Sequence, residues 1–142
     1  MTDQTTPPEG AAPELLCVYL LMRTDMASMN AGKGHAQSHH AGTQMALKDR
    51  QTWTVTQQNW LRDWAESRGF GTVLTMGCDN RQMNEALAIA TRLGFPCAVV
   101  NDPSYPLLDG SVVHLFPLDT CAYIFGPKIA IERAVAPLDL HP

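Results

Sequence analysis

The chain has 142 residues, 45% hydrophobic and 17% charged, with a formal charge of −4; that is enough apolar material for one core and too little length for two full domains. Its longest apolar run, Leu15 to Met22, is eight residues, well short of the about 20 that a membrane-spanning helix needs. Residues 2–13 hold acids and prolines but no basic residue, unlike a secretory leader, so the expected location is cytoplasmic with no membrane partner.

Residues 1–14 lack apolar periodicity and read as an acidic, Pro-rich loose tail ahead of a single domain over 15–142. Leu15 to Met22 is short and apolar on both faces, as in a strand covered on both sides, and Arg23-Thr24-Asp25 turns the chain after it. A helix is expected from an Asn30 cap to about Arg50, with small residues Ala36, Ala41, Gly42 and Ala46 suited to close packing on a sheet. A second helix is expected after a Thr56 cap, with Trp60, Leu61, Trp64 and Arg68 at helical spacing and Gly69 as its terminator.

Thr72 to Met76 reads as a strand, and Asp79-Asn80-Arg81-Gln82 as a capping box opening a third helix. Met83, Ala86, Leu87, Ala90 and Leu93 line the inner face of that helix, and Gly94 ends it. Cys97 to Val100 is the third strand, followed by a loop over Asn101 to Pro106; Cys121 to Phe125 is the fourth, closed by Gly126-Pro127. The order β-α-α-β-α-β-β predicts an α/β class fold, a three-layer α/β/α sandwich around a four-stranded mixed sheet. Helix-separated strands should run parallel, and the last strand either way. Ligands in such sheets gather beyond the carboxyl ends of strands, which here are the 23–30 and 101–106 loops.

Cys17, Cys78, Cys97 and Cys121 form no CxxC pair and sit among apolar or small neighbours; they read as reduced, buried thiols. With Asp3, Glu9 and Glu14 set aside the body is close to neutral, which disfavours strong nonspecific RNA binding but leaves room for one docked acceptor end. Arg23, Lys33, Lys48 and Arg50 concentrate the positive charge of the first half, where any anion-facing surface is expected.

Met29 to Gly34 places small residues and Lys33 at the opening of a helix, where free N–H groups and the macrodipole favour an anion. It is not a P-loop: Ala27 stands where that motif needs glycine, and Gly34 where it needs Ser or Thr. Lys33, Gln37, His40 and Gln44 recur every three or four residues as one polar stripe. Taken singly, Lys33 reads as a solvated lysine and His40 as a packing histidine; as a stripe on a sheet-packing helix they point to a site. His35 and His39 have the i, i+4 spacing of zinc ligands but no carboxylate between them and no third ligand, so no metal is expected. Trp53, Trp60 and Trp64 have the faces to stack on bases, yet their spacing suits packing.

Tyr19-Leu20-Leu21-Met22-Arg23-Thr24-Asp25-Met26, followed by Gly32-Lys33, Ala36-Gln37 and His40-Ala41, resembles the opening of type II peptidyl-tRNA hydrolases. In that family a strand ends in R-T-D and leads into a helix written G-K-x-x-A-Q-x-x-H-A. The resemblance implies a compact domain that hydrolyses the ester between a peptide and the terminal ribose of tRNA, with no cofactor and no metal. It places Lys33 and Asp102 as catalytic residues, with Thr120 approximating the family's catalytic threonine if the closing strand carries one inserted residue, or Cys121 in its place if it does not, and Arg23, Gln37 and His40 as substrate contacts, to which Ser104 is added for the hydroxyl it offers.

The family's D-A-G-R-T-Q is here Asp102-Pro103-Ser104-Tyr105-Pro106-Leu107, which keeps the aspartate and drops arginine, threonine and glutamine. Ser104 is a candidate for the lost hydroxyl and also an ordinary turn residue. Two further readings use the same fold: an RNA-end binding module without turnover, and a small-molecule esterase working in the same crevice. Assembly is left open, a homodimer included.

Overall fold

A computed structural model of the chain describes residues 14–67 and 69–142. The tail expected over 1–14 therefore lies outside the described residues except for Glu14, and so does Arg68, assigned above to the second helix. The elements in order are β1 (Leu16–Arg23), α1 (Ala31–Thr43), a π-helical turn (Gln44–Lys48), a 3-10 turn (Asp49–Thr52), α2 (Val55–Glu66), β2 (Thr72–Cys78), α3 (Asn80–Arg92), β3 (Cys97–Asp109), β4 (Val112–Pro127), α4 (Lys128–Val135) and β5 (Asp139–Leu140).

One mixed sheet runs in the order β3-β4-β1-β2-β5. β1 and β2 are parallel, as expected of strands joined through helices, while β4 lies antiparallel between β1 and β3. Among the described residues the sheet has five strands and not four, because β5 adds two residues antiparallel to β2; so short a strand leaves no alternation in the sequence. α4 is a second addition, following β4 directly and burying Ile131, Ala134 and Val135.

Alternation along β1 sorts the layers. Cys17, Tyr19 and Leu21 face α3 and α4 through Met83, Ala86, Ala90, Ile131 and Ala134. Val18, Leu20 and Met22 face the other way, toward Ala41 of α1, Met45 of the π turn and Leu61 of α2. The three-layer arrangement is thus carried by one strand that is apolar on both sides.

Helix starts follow their caps. Asp79 and Gln82 form the expected capping box of α3. α2 starts two residues earlier than expected, because Thr54, not Thr56, accepts from the Gln57 N–H while the Gln57 side chain returns to the Thr54 N–H, a reciprocal pair that satisfies two free donors. The tryptophans pack as their spacing implied: Trp53 stacks on Phe125, Trp64 meets Phe125 edge-on, and Trp60 lies beside Phe95. Gly71 adopts φ +87°, and a Cβ there would lie 2.3 Å from the Trp64 ring, so both backbone and packing demand glycine. Cys17, Cys78 and Cys121 are buried and Cys97 half-buried, all free. Burial pushes the thiol of Cys17 to about 11 and those of Cys78 and Cys121 to about 12.

The main correction concerns residues 101–106. They are not a loop: β3 continues through them to Asp109 and pairs with β4 in a long hairpin turned by Gly110-Ser111. Pro103 and Pro106 are accommodated because β3 is the edge strand, where a missing N–H breaks no ladder. The pairing is irregular at two places, between Val100 and Asn101 and between Asp102 and Tyr105. At the first, Val100 pairs with Cys121 and Asn101 with Asp119, leaving Thr120 as an extra residue on β4. Such bulges re-aim side chains, and both lie beside α1.

Candidate active site

Between α1 with its π turn and the bulged part of β3 lies a hollow of about 500 Å³, lined by Lys33, Gln37, His40, Gln44 and Lys48 on one side and by Asn101, Asp102, Ser104 and Pro106 on the other. The polar stripe read from the sequence therefore forms one wall. Asn30 caps α1 by accepting from the Lys33 N–H at 2.9 Å, which fixes the first turn and the point from which the Lys33 side chain leaves.

Gln37 organises the interior. It is 2% exposed, and with Thr120 it is one of the two buried polar side chains among the described residues. Its Nε2 donates to Asp102 Oδ2 at 2.7 Å, and its Oε1 accepts from Thr120 Oγ1 at 2.6 Å. The two contacts fix the sense of the amide, since a carboxylate only accepts. Asp102 Oδ1 accepts from the Ser104 N–H at 2.9 Å and lies 3.4 Å from its hydroxyl. Partial desolvation pushes the Asp102 carboxyl up. The Gln37 amide, the Ser104 N–H, the neighbouring His40 charge and the Ser104 hydroxyl together outweigh it, so Asp102 ionises below the usual carboxylate range.

Removing the Gln37 amide should therefore raise the pKa of Asp102. Asp102 is charged above its depressed pKa and protonates as pH falls through it. Gln37→Met deletes one of the lowering contacts, so the titration of the Asp102 carboxyl, followed by NMR, shifts to higher pH. A titration that stays in place in Gln37→Met would detach Asp102 ionisation from this contact.

The other expected residues are distributed unequally. Lys33 and Asp102 share the hollow, but among the described residues they make no ion pair. The Lys33 ammonium instead donates to the Pro106 carbonyl at 2.8 Å. His40 and Ser104 are exposed on the rim. Thr120 is fully buried, is not among the lining residues and reaches the polar side of the hollow through Gln37.

Arg23 is not among the lining residues. Its fork holds Asp25 at 2.9 and 3.0 Å and donates to the Asp119 carbonyl at 3.0 Å, and Asp25 in turn accepts from the Asn80 N–H at the start of α3. That ties the exit of β1 to α3 and to the hairpin. Asp49 is likewise occupied, accepting from Gln44 and from the Tyr123 hydroxyl; Lys33 and Lys48 line the hollow. Among the described residues no three His, Cys, Asp or Glu side chains converge as metal ligands would, and no helix is long and apolar enough to cross a membrane.

Nothing in the sequence gives Tyr105 or Pro106 a role at the hollow. Gln44 belongs to the polar stripe, and its amide also donates to the Val99 carbonyl, tying the π turn to β3. Tyr105 is fully buried beneath Lys33, and only the hairpin pairing, signalled by Asp109-Gly110, would have turned it inward. Comparison with protein families finds a match to the model described as peptidyl-tRNA hydrolase PTH2 over residues 16–140. No curated protein matches the chain.

Proposed function

The chain belongs to the peptidyl-tRNA hydrolase PTH2 family and hydrolyses peptidyl-tRNA, and on that premise we propose that the ester is cut in the hollow between α1 and β3. The observation that carries this reading is the convergence there of an ammonium at a helix start, Lys33, and a carboxylate kept ionised, Asp102. Ester hydrolysis needs a placed water, an acceptor for its proton and donors toward the oxyanion.

Asp102 holds the attacking water and takes its proton as the new C–O bond forms. Its depressed pKa makes it a better anchor than base, so much of the rate must come from placement. Lys33, reinforced by the α1 macrodipole, stabilises the oxyanion. Collapse breaks the bond to the ribose oxygen, which leaves with the proton returned from Asp102. Gln37 and Thr120 position Asp102. His40 and Ser104 contact the acceptor end at the rim, and Lys48 meets its phosphates. Arg23, expected as a substrate contact, is read here as the strut that braces β1.

The step uses no metal and no cofactor, since the residues present supply each role. The reading takes residues 15–142 as one catalytic domain working in the cytoplasm, where the substrate is made, and requires no second copy to complete the hollow. The test is release of the acyl group from an N-acetylaminoacyl-tRNA by enzyme dialysed against a strong chelator. Turnover equal to that of untreated enzyme is expected. Turnover lost on dialysis and restored by a transition metal would overturn the metal-free reading.

A further inference from the structure

Resting on the role given to Lys33 above, we propose that Tyr105 is a positioning residue that holds the Lys33 ammonium at the rim of the hollow through the face of its ring. The Nζ of Lys33 sits 5.0 Å from the Tyr105 ring centroid, within the range of a cation–π contact. The ring is wholly buried although it belongs to the edge strand. Its hydroxyl lies 3.2 Å from Ser28 Oγ and 3.9 Å from Met29 Sδ, both in the segment between β1 and α1. The ring is thus pinned from the far side while its face is offered to the lysine.

A lysine side chain is a flexible four-carbon stem ending in three donors. Here one donor goes to the Pro106 carbonyl at 2.8 Å and the ring supports the ammonium from below, which leaves the remaining donors for the hollow. The clamp and the carboxylate also share a backbone. Asp102 accepts from the Ser104 N–H one residue before Tyr105, and the ladder irregularity between Asp102 and Tyr105 sets the two side chains to different tasks. The bulge couples the place of the water to the place of the oxyanion donor.

The test replaces Tyr105 with Phe and then with mono-, di- and trifluorinated phenylalanines, which keep the shape of the ring and drain its face of electron density. The kcat for N-acetylaminoacyl-tRNA should fall stepwise, by about threefold or more from Phe to the trifluorinated ring, with KM and the thermal midpoint unchanged. A flat series, with Lys33→Met strongly impaired, would overturn the proposal and leave the role of Lys33 standing. The series is repeated on Lys33→Met, where fluorination should have no effect on residual turnover; a persisting fall would show that the ring acts other than through Lys33. Lys33→Met with full activity would instead remove the role on which the proposal rests. A ring-current upfield shift of the Lys33 ε-methylene protons is expected in the wild type, and its absence would overturn the contact itself.

Discussion

Asp102→Asn should lose about a hundredfold to ten-thousandfold in kcat while leaving the fold intact. The substitution keeps the size of the side chain and removes its charge. One oxygen can still accept from the Ser104 N–H, but the new amide NH₂ then faces the Gln37 Nε2 that donates to Asp102 in the wild type. Two donors cannot pair, so the Gln37 amide must rotate. Thr120 can absorb that rotation, because its hydroxyl also lies 3.4 Å from the Val100 carbonyl and can turn from donor to Gln37 into acceptor from it. The interior thereby stays satisfied, and the loss of rate reports chemistry. The check is single-turnover release from N-acetylaminoacyl-tRNA beside a thermal melt. Retained turnover would remove Asp102 from the reaction, and a collapsed melting temperature would show instead that the carboxylate holds the hairpin to α1.

The same relay shows what was legible beforehand and what was not. Lys33, Gln37 and His40 lie on one helix, and helical spacing alone placed them on one face. β1 and α3 were readable for a like reason, since an apolar octet and a capping box are local signals. The reach of β3 and β4 was not local. Pro103 and Pro106 punctuate a strand that still pairs because its outer edge is free, and Pro117 of β4 falls where the register with β3 is broken between Asp102 and Tyr105. Thr120 and Tyr105 owe their inward direction to the irregular register between those two strands, and no periodicity within either strand encodes a mismatch between them. In sequence, Tyr105 and Pro106 stand where the family motif has arginine and threonine. In the fold those two residues take hold of Lys33, one by its ring and one by its carbonyl.

Lys33→Met should lose about a hundredfold to a thousandfold in kcat, the range for removing one preorganised oxyanion donor. Methionine preserves an unbranched apolar stem, so contact with the Tyr105 ring persists while the ammonium is gone. The ammonium is half-exposed and makes no ion pair among the described residues, so its removal leaves no buried charge unpaired and the thermal midpoint should hardly move. Lys33→Arg separates charge from placement. A guanidinium keeps the positive charge but is planar and broader, and it cannot occupy the ammonium's position over the ring while also donating to the Pro106 carbonyl in the same geometry. If bulk positive charge at the mouth of the hollow were all that mattered, arginine would restore kcat. If the oxyanion needs a donor at one point, Lys33→Arg leaves KM near the wild-type value and kcat within about tenfold of Lys33→Met. A Lys33→Arg enzyme with wild-type kcat would therefore move Lys33 from the reacting carbonyl to the attraction of tRNA phosphates.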